Sequence, residues 1–289
     1  MALNESWSES TQRVENALAA LYAGSREPQK KLFDSMRYSL LSGGKRLRPY
    51  LVYAFCTLCG GAPEAADPAA MAVEMIHTYS LIHDDLPCMD DDALRRGKPT
   101  NHRVYGEATA VLAGDGLLTD AFYVLASSTL PPETVKALVA VLSYRAGPFG
   151  MVGGQQLDMD AAERSCTRNE VLAIQRRKTG ALIRAACEMG VLCAGGSAEQ
   201  RAAAGAYADA IGLAFQIQDD ILDAEGDEAT LGKAVGVDAD KNTFVKLYGL
   251  PYCRRKVATL TRQAVGALSS FSSAEDLIAL AHYLAKRDK

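Results

Sequence analysis

Three long alanine-rich stretches limit what this chain can fold into. The segments 68–86, 105–128 and 198–223 carry apolar residues on most faces at helical spacing. A helix that is apolar nearly all round has to be buried, and small side chains let neighbouring helices approach closely. These stretches therefore predict the inner helices of an all-α bundle.

Helical periodicity continues through the rest of the chain, and no segment shows strand alternation between hairpin-type turns. Capping boxes that begin at Thr167 and Ser197, and first-turn prolines at Pro28 and Pro132, mark several helix starts. Without a linker or an internal repeat, residues 1–289 are predicted to form one large helical domain. We predict helices near 8–23, 29–41, 48–59, 68–86, 105–128, 132–145, 168–194, 198–223, 251–268 and 274–286.

Composition argues against several broad classes of protein. The formal net charge of -4 offers no overall positive field for nucleic acid. We find no signal peptide and no apolar run long enough to cross a bilayer, so no membrane span is predicted. The seven cysteines are scattered and odd in number, which favours free thiols in the cytoplasm. Cys56 and Cys59 form a CxxC without a second Cys/His pair, which favours core packing over metal binding.

Two aspartate clusters lie far apart in the sequence, each at the end of an apolar helix. Asp219 and Asp223 are four positions apart, so they share one helix face. Asp84 and Asp90 are six positions apart, and the intervening Pro87 should break the regular turn. A two-residue bulge at Pro87-Cys88 would restore an effective spacing of four.

Such paired carboxylates point to a metal ion. Two carboxylates one turn apart repel each other, and in an apolar bundle the repulsion is costly unless a cation compensates. Oxygen-only ligands suit Mg²⁺, which usually takes one or two carboxylates together with water and phosphate oxygens. The clusters therefore predict a two-sided magnesium–phosphate site.

Basic residues accompany both clusters. Arginine binds phosphate in a bidentate manner and lysine acts as a point charge. Two separate basic groups beside a two-sided metal site predict two diphosphates, one bound through metal and one bound by cations alone. The basic residues concerned are Lys45, Arg46, Arg48, Arg95, Arg96, Lys98, Lys178, Lys233 and Lys241.

The motifs, taken in chain order, resemble those of the polyprenyl synthetases, the trans-isoprenyl diphosphate synthases. The likeness runs from about residue 40 to the C-terminus and is strongest to the bacterial farnesyl diphosphate synthases. One departure is Phe244-Val245, where that group usually has Tyr-Pro. The matching segments are GGKRLRP (43–49), HDDLPCMDDD (83–92) with LRRG (94–97), GQQLD (154–158), Lys178-Thr179, FQIQDDILD (215–223) and the loop 226–243.

This resemblance implies a helical bundle of the isoprenoid synthase type with a central cavity, and a homodimer. It implies a prenyltransferase that condenses isopentenyl diphosphate with dimethylallyl or geranyl diphosphate to give farnesyl diphosphate, assisted by two or three Mg²⁺ ions. Asp84 and Asp90 would hold Mg²⁺ on one side of the allylic diphosphate, and Asp219, helped by Asp220 and Asp223, on the other.

The resemblance also implies roles for the remaining site residues. Those implied to contact the allylic diphosphate are Arg95, Lys178 and Lys233. Those implied to line the reacting region are Thr179, Gln216 and Lys241. Those implied to bind the isopentenyl diphosphate are Lys45, Arg48, His77 and Arg96.

Two residues below the first cluster are predicted to limit product length. If Asp84 anchors the diphosphate, Ser80 lies one turn deeper, about 6 Å at 1.5 Å per residue. Tyr79 lies beside Ser80, and an aromatic ring at this depth should stop the growing tail. An aromatic residue five positions before the motif also resembles the farnesyl pattern.

Four other functions remain to be compared with this one. The first is a synthase with a geranyl or geranylgeranyl product. The second is a terpene cyclase, but the complete second cluster and the Lys45/Arg48 pair argue against it. The third is a non-catalytic synthase subunit, which should have lost metal ligands that are intact here. The fourth is a metal-dependent phosphohydrolase suggested by His83-Asp84, which would need further histidine ligands.

Overall fold

The computed structural model describes residues 3–162, 164–225 and 243–286, and this part of the chain is almost entirely helical. The elements of the first half are α1 (Leu3–Ala20), α2 (Lys30–Leu40), α3 (Leu47–Leu58), α4 (Pro63–Asp84), β1 (Leu94–Arg95), β2 (Lys98–Pro99), α5 (Asn101–Tyr105) and α6 (Glu107–Ala126). The second half contains α7 (Pro132–Ala146), α8 (Met151–Ala161), α9 (Arg168–Gln175), a π-helical turn (Arg176–Gly180), α10 (Ala181–Cys193), α11 (Ala198–Glu225), α12 (Phe244–Tyr248), α13 (Leu250–Ala267) and α14 (Glu275–Lys286).

The helices pack as a bundle around α4 and α10. Helix α4 packs against α3, α6 and α10, and α10 also contacts α7 and α11. Alanines on the facing sides are fully buried, among them Ala72 on α4 and Ala113 on α6, which is the close packing that the sequence predicts. A second, smaller core joins α9, the end of α11, α12 and α13. The all-α prediction is confirmed.

Several predicted helix starts are confirmed by their capping contacts. The Thr167 backbone N–H donates to the Glu170 carboxylate over 2.8 Å, and the Thr167 hydroxyl accepts from the Glu170 N–H. Ser197 makes the same reciprocal pair with Gln200. Pro132 begins α7 as predicted. Pro28 was wrongly placed, because it lies in the turn before α2.

Several features were not predicted. Helix α8 was not predicted, because it contains Gly153 and Gly154, which have low helix propensity. A two-residue antiparallel ladder pairs Arg95 with Lys98, which is too short to show alternation. Helix α4 begins at Pro63, five residues earlier than predicted. The predicted helix 168–194 is interrupted by a π-helical turn, a feature frequent at functional sites.

Two helical stretches are long and apolar enough to cross a membrane by length and composition alone, Glu107–Ala126 and Pro132–Ala161. This corrects the expectation that no such run exists. The first stretch is α6, which packs one face on α4 as the core helix of a folded domain does. The second contains two separate helices, α7 and α8, joined through Gly147-Pro148.

Candidate active site

The first aspartate cluster lies where α4 ends. Beyond Asp84 the backbone no longer follows the α-helical pattern, because Pro87 cannot donate a hydrogen bond. Instead the Asp90 N–H donates to the Asp84 carbonyl over 2.9 Å, a span of six residues in place of four. The two extra residues form the bulge that the sequence predicts at Pro87-Cys88. The bulge therefore brings Asp90 back beside Asp84.

Burial and nearby charges change the pKa of Asp84. Burial, opposed by the charge of Lys178 and assisted by that of Asp90, raises the pKa of the Asp84 carboxyl to about 6. A carboxyl with a second carboxylate nearby and an ammonium facing it suits a bound cation and a bound anion together. Lys178, about ninety residues further along the chain, thus belongs to the same site as Asp84.

Arg95 is held in place by two carboxylates. Its Nε donates to Asp85 over 2.6 Å, and a terminal nitrogen donates to Asp92 over 3.0 Å. Asp85 is only 3% exposed, and burial raises its pKa while Arg95 opposes that rise. The short ladder fixes the backbone on which Arg95 sits. Asp85 and Asp92 therefore aim the guanidinium rather than bind metal in this arrangement.

The π-helical turn presents Lys178 and Thr179. Its backbone lies so close to α8 that a Cβ on Gly154 would come within 2.2 Å of the Lys178 nitrogen. The Lys178 ammonium donates to Asp158 over 2.7 Å. The close approach of the two backbones requires Gly154, and the ammonium requires Asp158, so both residues accompany Lys178 and Thr179. Helix α11, which carries Gln216, packs against the same turn.

A second basic group forms where two distant loops meet. The Arg96 guanidinium donates to the Gly43 carbonyl. A Cβ on Gly44 would lie 2.6 Å from the centre of that guanidinium, and Gly44 has a φ of +128°, so a larger residue would be strained and would displace Arg96. Arg96 itself has a positive φ of 53°, a strained backbone of the kind found at functional sites.

Arg48 and His77 complete this second group. The Arg48 Nε is buried without a hydrogen-bond partner among the described residues. Burial lowers the Arg48 pKa, and Arg96 lowers it further against the opposing effect of Glu74. Burial, then Arg48 and then Arg96 hold the His77 pKa well below its usual value. An anion bound here would give the Arg48 Nε a partner and would offset the positive charge that lowers the pKa values of Arg48 and His77. The arrangement therefore fits a diphosphate bound without metal.

Arg46 differs from its neighbours in the same motif. It is 2% exposed, donates to Glu74 over 2.6 Å and donates to the Leu40 carbonyl over 2.8 Å. The Arg46 charge is therefore paired with Glu74 in the protein interior. Lys45 is exposed, and its carbonyl accepts a hydrogen bond from the Trp7 indole over 2.7 Å.

The second aspartate cluster lies on a straight helix. Asp219 and Asp223 fall one turn apart near the end of α11, as predicted. Asp220 accepts a hydrogen bond from the Phe244 N–H over 2.6 Å, which ties α11 to the start of α12. Lys233 and Lys241 lie outside the described residues. Within the described ranges, no group of three or more Asp, Glu, His or Cys side chains forms a ready metal cage.

His83 does not belong to the site. Its Nε2 lies 3.0 Å from the Val111 carbonyl on α6, and a Cβ on Gly114 would collide with the ring at 2.0 Å. The imidazole is thus packed against α6, which removes it as a metal ligand beside Asp84. The phosphohydrolase alternative loses its basis.

The two chain-length candidates occupy different sides of α4. Tyr79 is buried at 6% exposure, and its ring meets the His83 ring edge-on at 5.8 Å. Burial and then the charge of Asp84 raise the Tyr79 pKa to about 12. Ser80 is half-buried, shares a face with Asp84 and donates to the His77 carbonyl over 2.9 Å.

Comparison with known proteins agrees with this geometry. The family model described as polyprenyl synthetase matches residues 29–283. The chain belongs to this family. It is 44% identical to a farnesyl diphosphate synthase of Haemophilus influenzae over 280 residues, 95% of each chain. It is 47% identical to a chloroplastic geranylgeranyl pyrophosphate synthase of Capsicum annuum over 264 residues, 89% of this chain and 72% of the other.

A solved structure agrees as well. An FPP/GFPP synthase from Zymomonas mobilis in its apo form superposes with a TM-score of 0.89 at 39% identity, covering 98% of this chain and 99% of that one. The helical fold of the prenyl synthases is therefore the fold of this chain.

Sequence reasoning did not assign roles to three residues that the structure brings into the site. Asp85 and Asp92 hold Arg95, and Asp158 holds Lys178. Each lies inside a motif that the sequence identified. The signal was present, but the partner of each carboxylate depends on tertiary contacts that spacing does not reveal.

Proposed function

We propose that this protein is a farnesyl diphosphate synthase, which condenses isopentenyl diphosphate head-to-tail with dimethylallyl diphosphate and then with geranyl diphosphate. The observation that carries the proposal is the pairing of two sites: the Asp84/Asp90 cluster with Lys178, and the half-buried group of Arg48, Arg96 and the neutral His77, which lies two turns before Asp84 on α4. A reaction between two diphosphates needs both.

The donor set fits magnesium. Asp84 with Asp90, and Asp219 with Asp223, offer only hard oxygen ligands, and the raised pKa of Asp84 means that a nearby cation would stabilise its charged form. We infer that these four residues hold two or three Mg²⁺ ions through the allylic diphosphate. When bound, the ions supply positive charge to the departing diphosphate.

The protein's own cations add to that stabilisation. Arg95, held by Asp85 and Asp92, and Lys178, held by Asp158, are aimed before substrate arrives, so little reorganisation is needed as charge develops. Lys233 is proposed to join them on the allylic diphosphate. The allylic C–O bond then ionises, and its electron pair leaves with the diphosphate.

The second substrate completes the reaction. Lys45, Arg48, His77 and Arg96 are proposed to hold isopentenyl diphosphate so that its double bond faces the allylic cation. Attack forms the new C–C bond, and a proton is lost to the released diphosphate. Thr179, Gln216 and Lys241 are proposed to line this region, where an apolar bundle keeps water from trapping the cation.

A decisive test is incubation of the purified chain with isopentenyl diphosphate, Mg²⁺ and either dimethylallyl or geranyl diphosphate, followed by sizing of the dephosphorylated alcohols. We expect a fifteen-carbon product from both primers. A cyclase would release a cyclic hydrocarbon from farnesyl diphosphate alone. Failure to condense any primer would favour a non-catalytic subunit.

A geranylgeranyl product is the second candidate, because a relative with that name is as similar in identity. We propose that Tyr79, which is buried and next to Ser80 in the chain, favours the shorter product. We expect Tyr79→Ala to give products of twenty carbons or more, and Tyr79→Phe, which keeps the ring, to give fifteen. An unchanged product from Tyr79→Ala would remove this residue as the limit.

We propose a homodimer in the cytoplasm. Leu112 and Tyr123 lie on one exposed face of α6, at 56% and 68% exposure, and Phe149 lies at 69% just before α8. An exposed apolar stripe of this kind is typical of an interaction surface. Sedimentation should show a dimer that Leu112→Glu converts to monomer. A monomeric wild-type chain would contradict the proposal.

A further inference from the structure

A second cleft lies away from both aspartate clusters. It has a volume of about 700 Å³ and is formed by α1, α3 and the start of α14. That volume is within the range of small-molecule sites. Its lining contains none of the residues proposed to bind substrate. The lining residues that matter here are Ser6, Glu9, Arg13, Tyr50, Tyr53, Leu58 and Asp276.

One wall of the cleft carries an unused hydroxyl. Tyr50 is 2% exposed, and its hydroxyl oxygen is buried with no hydrogen-bond partner among the described residues. Burial raises the pKa of Tyr50 to about 12; the Ser6 side chain opposes this rise, but the Ser6 hydroxyl donates to the Leu3 carbonyl and not to Tyr50. The neighbouring Tyr53 hydroxyl, by contrast, donates to Asp67 over 2.8 Å. A buried polar group without a partner is uncommon and points to a missing one.

The charge around the cleft is negative. Arg13 is already engaged by Asp67 over 2.6 Å and by Glu64 over 2.9 Å. Glu9 and Asp276 take part in no ion pair within the described part of the chain. The cleft therefore favours a cationic ligand and disfavours diphosphates such as the substrates.

A short series of contacts joins the cleft to the second basic group. Trp7, on the same helix as Glu9, stacks on Tyr50 with ring centroids 5.2 Å apart and an interplanar angle of 16°. The Trp7 indole donates to the Lys45 carbonyl over 2.7 Å. A ligand that moves the Tyr50 ring would therefore move the backbone of Lys45.

We propose that this cleft binds a small amphipathic cation. Its apolar body would lie against Tyr53 and Leu58, and its ammonium group would face Glu9 and Asp276 and supply the partner that the Tyr50 hydroxyl lacks. Occupancy displaces Trp7 and weakens the binding of isopentenyl diphosphate; this second part rests on the proposed role of Lys45.

Trp7 is the single tryptophan of the chain, so its emission reports on the cleft without any activity measurement. The full chain is titrated with 4-phenylbutylamine, 4-phenylbutanol and 4-phenylbutyrate, which share one body and differ in the charge of the head group. N-acetyltryptophanamide serves as the control for collisional quenching. We expect a saturable change with the amine, binding about fivefold weaker for the alcohol, and none with the carboxylate.

The matched variant is Glu9→Gln combined with Asp276→Asn. Glu9 is exposed and Asp276 half-buried, and the variant should bring the affinity for the amine to within about twofold of that for the alcohol. No saturable change with the amine, or an unchanged preference in the variant, would overturn the cleft as a cation site.

Coupling is tested by reciprocity, since two ligands that weaken each other do so by the same factor in either direction. The affinity for the amine is measured by Trp7 emission with and without saturating isopentenyl diphosphate, and should fall about fivefold with it. An unchanged affinity refutes the coupling but leaves the cleft. A chain that binds the amine yet condenses no substrate refutes the proposed function alone.

Discussion

The two aspartate clusters reach a similar arrangement by different means. In the first, a bulge after α4 returns Asp90 to Asp84 through a backbone hydrogen bond that spans six residues. In the second, Asp219 and Asp223 are brought together by the plain register of α11. Helix geometry alone thus positions one pair, whereas the other needs a specific backbone turn.

Their surroundings differ as well. The first cluster includes its own basic partner, because Arg95 is bound by Asp85 and Asp92 within a dozen residues. The second contacts the start of α12, where the Phe244 N–H binds Asp220. We infer that the first cluster is the more rigid of the two and tolerates change less.

Substitution of single carboxylates should show the largest difference in activity between the two clusters. We expect Asp84→Asn to lower kcat/KM by about a thousandfold or more, because it removes a proposed metal ligand at the centre of the site. Asp223→Asn should cost about ten- to a hundredfold, since Asp223 is exposed at the end of the helix. Steady-state condensation assays at saturating Mg²⁺ measure both. Equal losses would mean that the clusters are equivalent after all.

The bulge itself can be tested by deletion. Removing Pro87 and Cys88 together turns the Asp90-to-Asp84 hydrogen bond into an ordinary helical one, so activity should stay within about tenfold of wild type. Removing Cys88 alone rotates Asp90 by about 100° around the helix and should cost about a hundredfold. Circular dichroism checks that both variants fold. If the single deletion is the more active, the bulge is not what aligns the two carboxylates.

Prediction from sequence succeeded where local rules decide the structure. Helix periodicity, the boxes at Thr167 and Ser197, and the effect of Pro87 all depend on neighbouring residues. It failed where tertiary contacts override propensity. Helix α8 forms despite Gly153 and Gly154 because close packing on the π-helical turn requires the second of them.

The candidate site shows the same division. The motifs identified Asp84, Lys178 and Arg95 as candidates. Spacing could not show that Arg46 and Arg48 have different roles, because Arg46 forms an ion pair with the buried Glu74 on α4. Likewise the packing of His83 against α6 depends on a glycine more than thirty residues away.

A smaller effect is expected from Asp158, which positions Lys178 opposite the first cluster. Asp158→Asn should lower kcat by about tenfold with little change in the KM for isopentenyl diphosphate, because the ammonium loses its fixed direction toward the proposed site of the allylic diphosphate. The control is Asp160→Asn on the same helix, an exposed carboxylate that accepts a hydrogen bond from Gln156. Lost activity in both variants would show that α8 was damaged rather than Lys178 misplaced.

The smallest expected effect is on the free energy of unfolding, and it arises from His77, two turns before Asp84 on α4. The folded state holds the His77 pKa well below its unfolded value, through burial and the charges of Arg48 and Arg96. As the pH falls below about 6.5, the unfolded chain therefore takes up a proton that the folded chain refuses, and the free energy of unfolding decreases.

One such group contributes at most about 1.4 kcal/mol per pH unit, and only below that pH. Urea denaturation between pH 8 and pH 5 should show a shallower loss of stability for His77→Asn than for wild type, with no difference above pH 7.5. His282→Asn, an exposed histidine on α14, should follow the wild-type curve. Parallel curves for wild type and His77→Asn would mean that His77 is not held neutral, and that the second basic group is less charged than its contacts indicate.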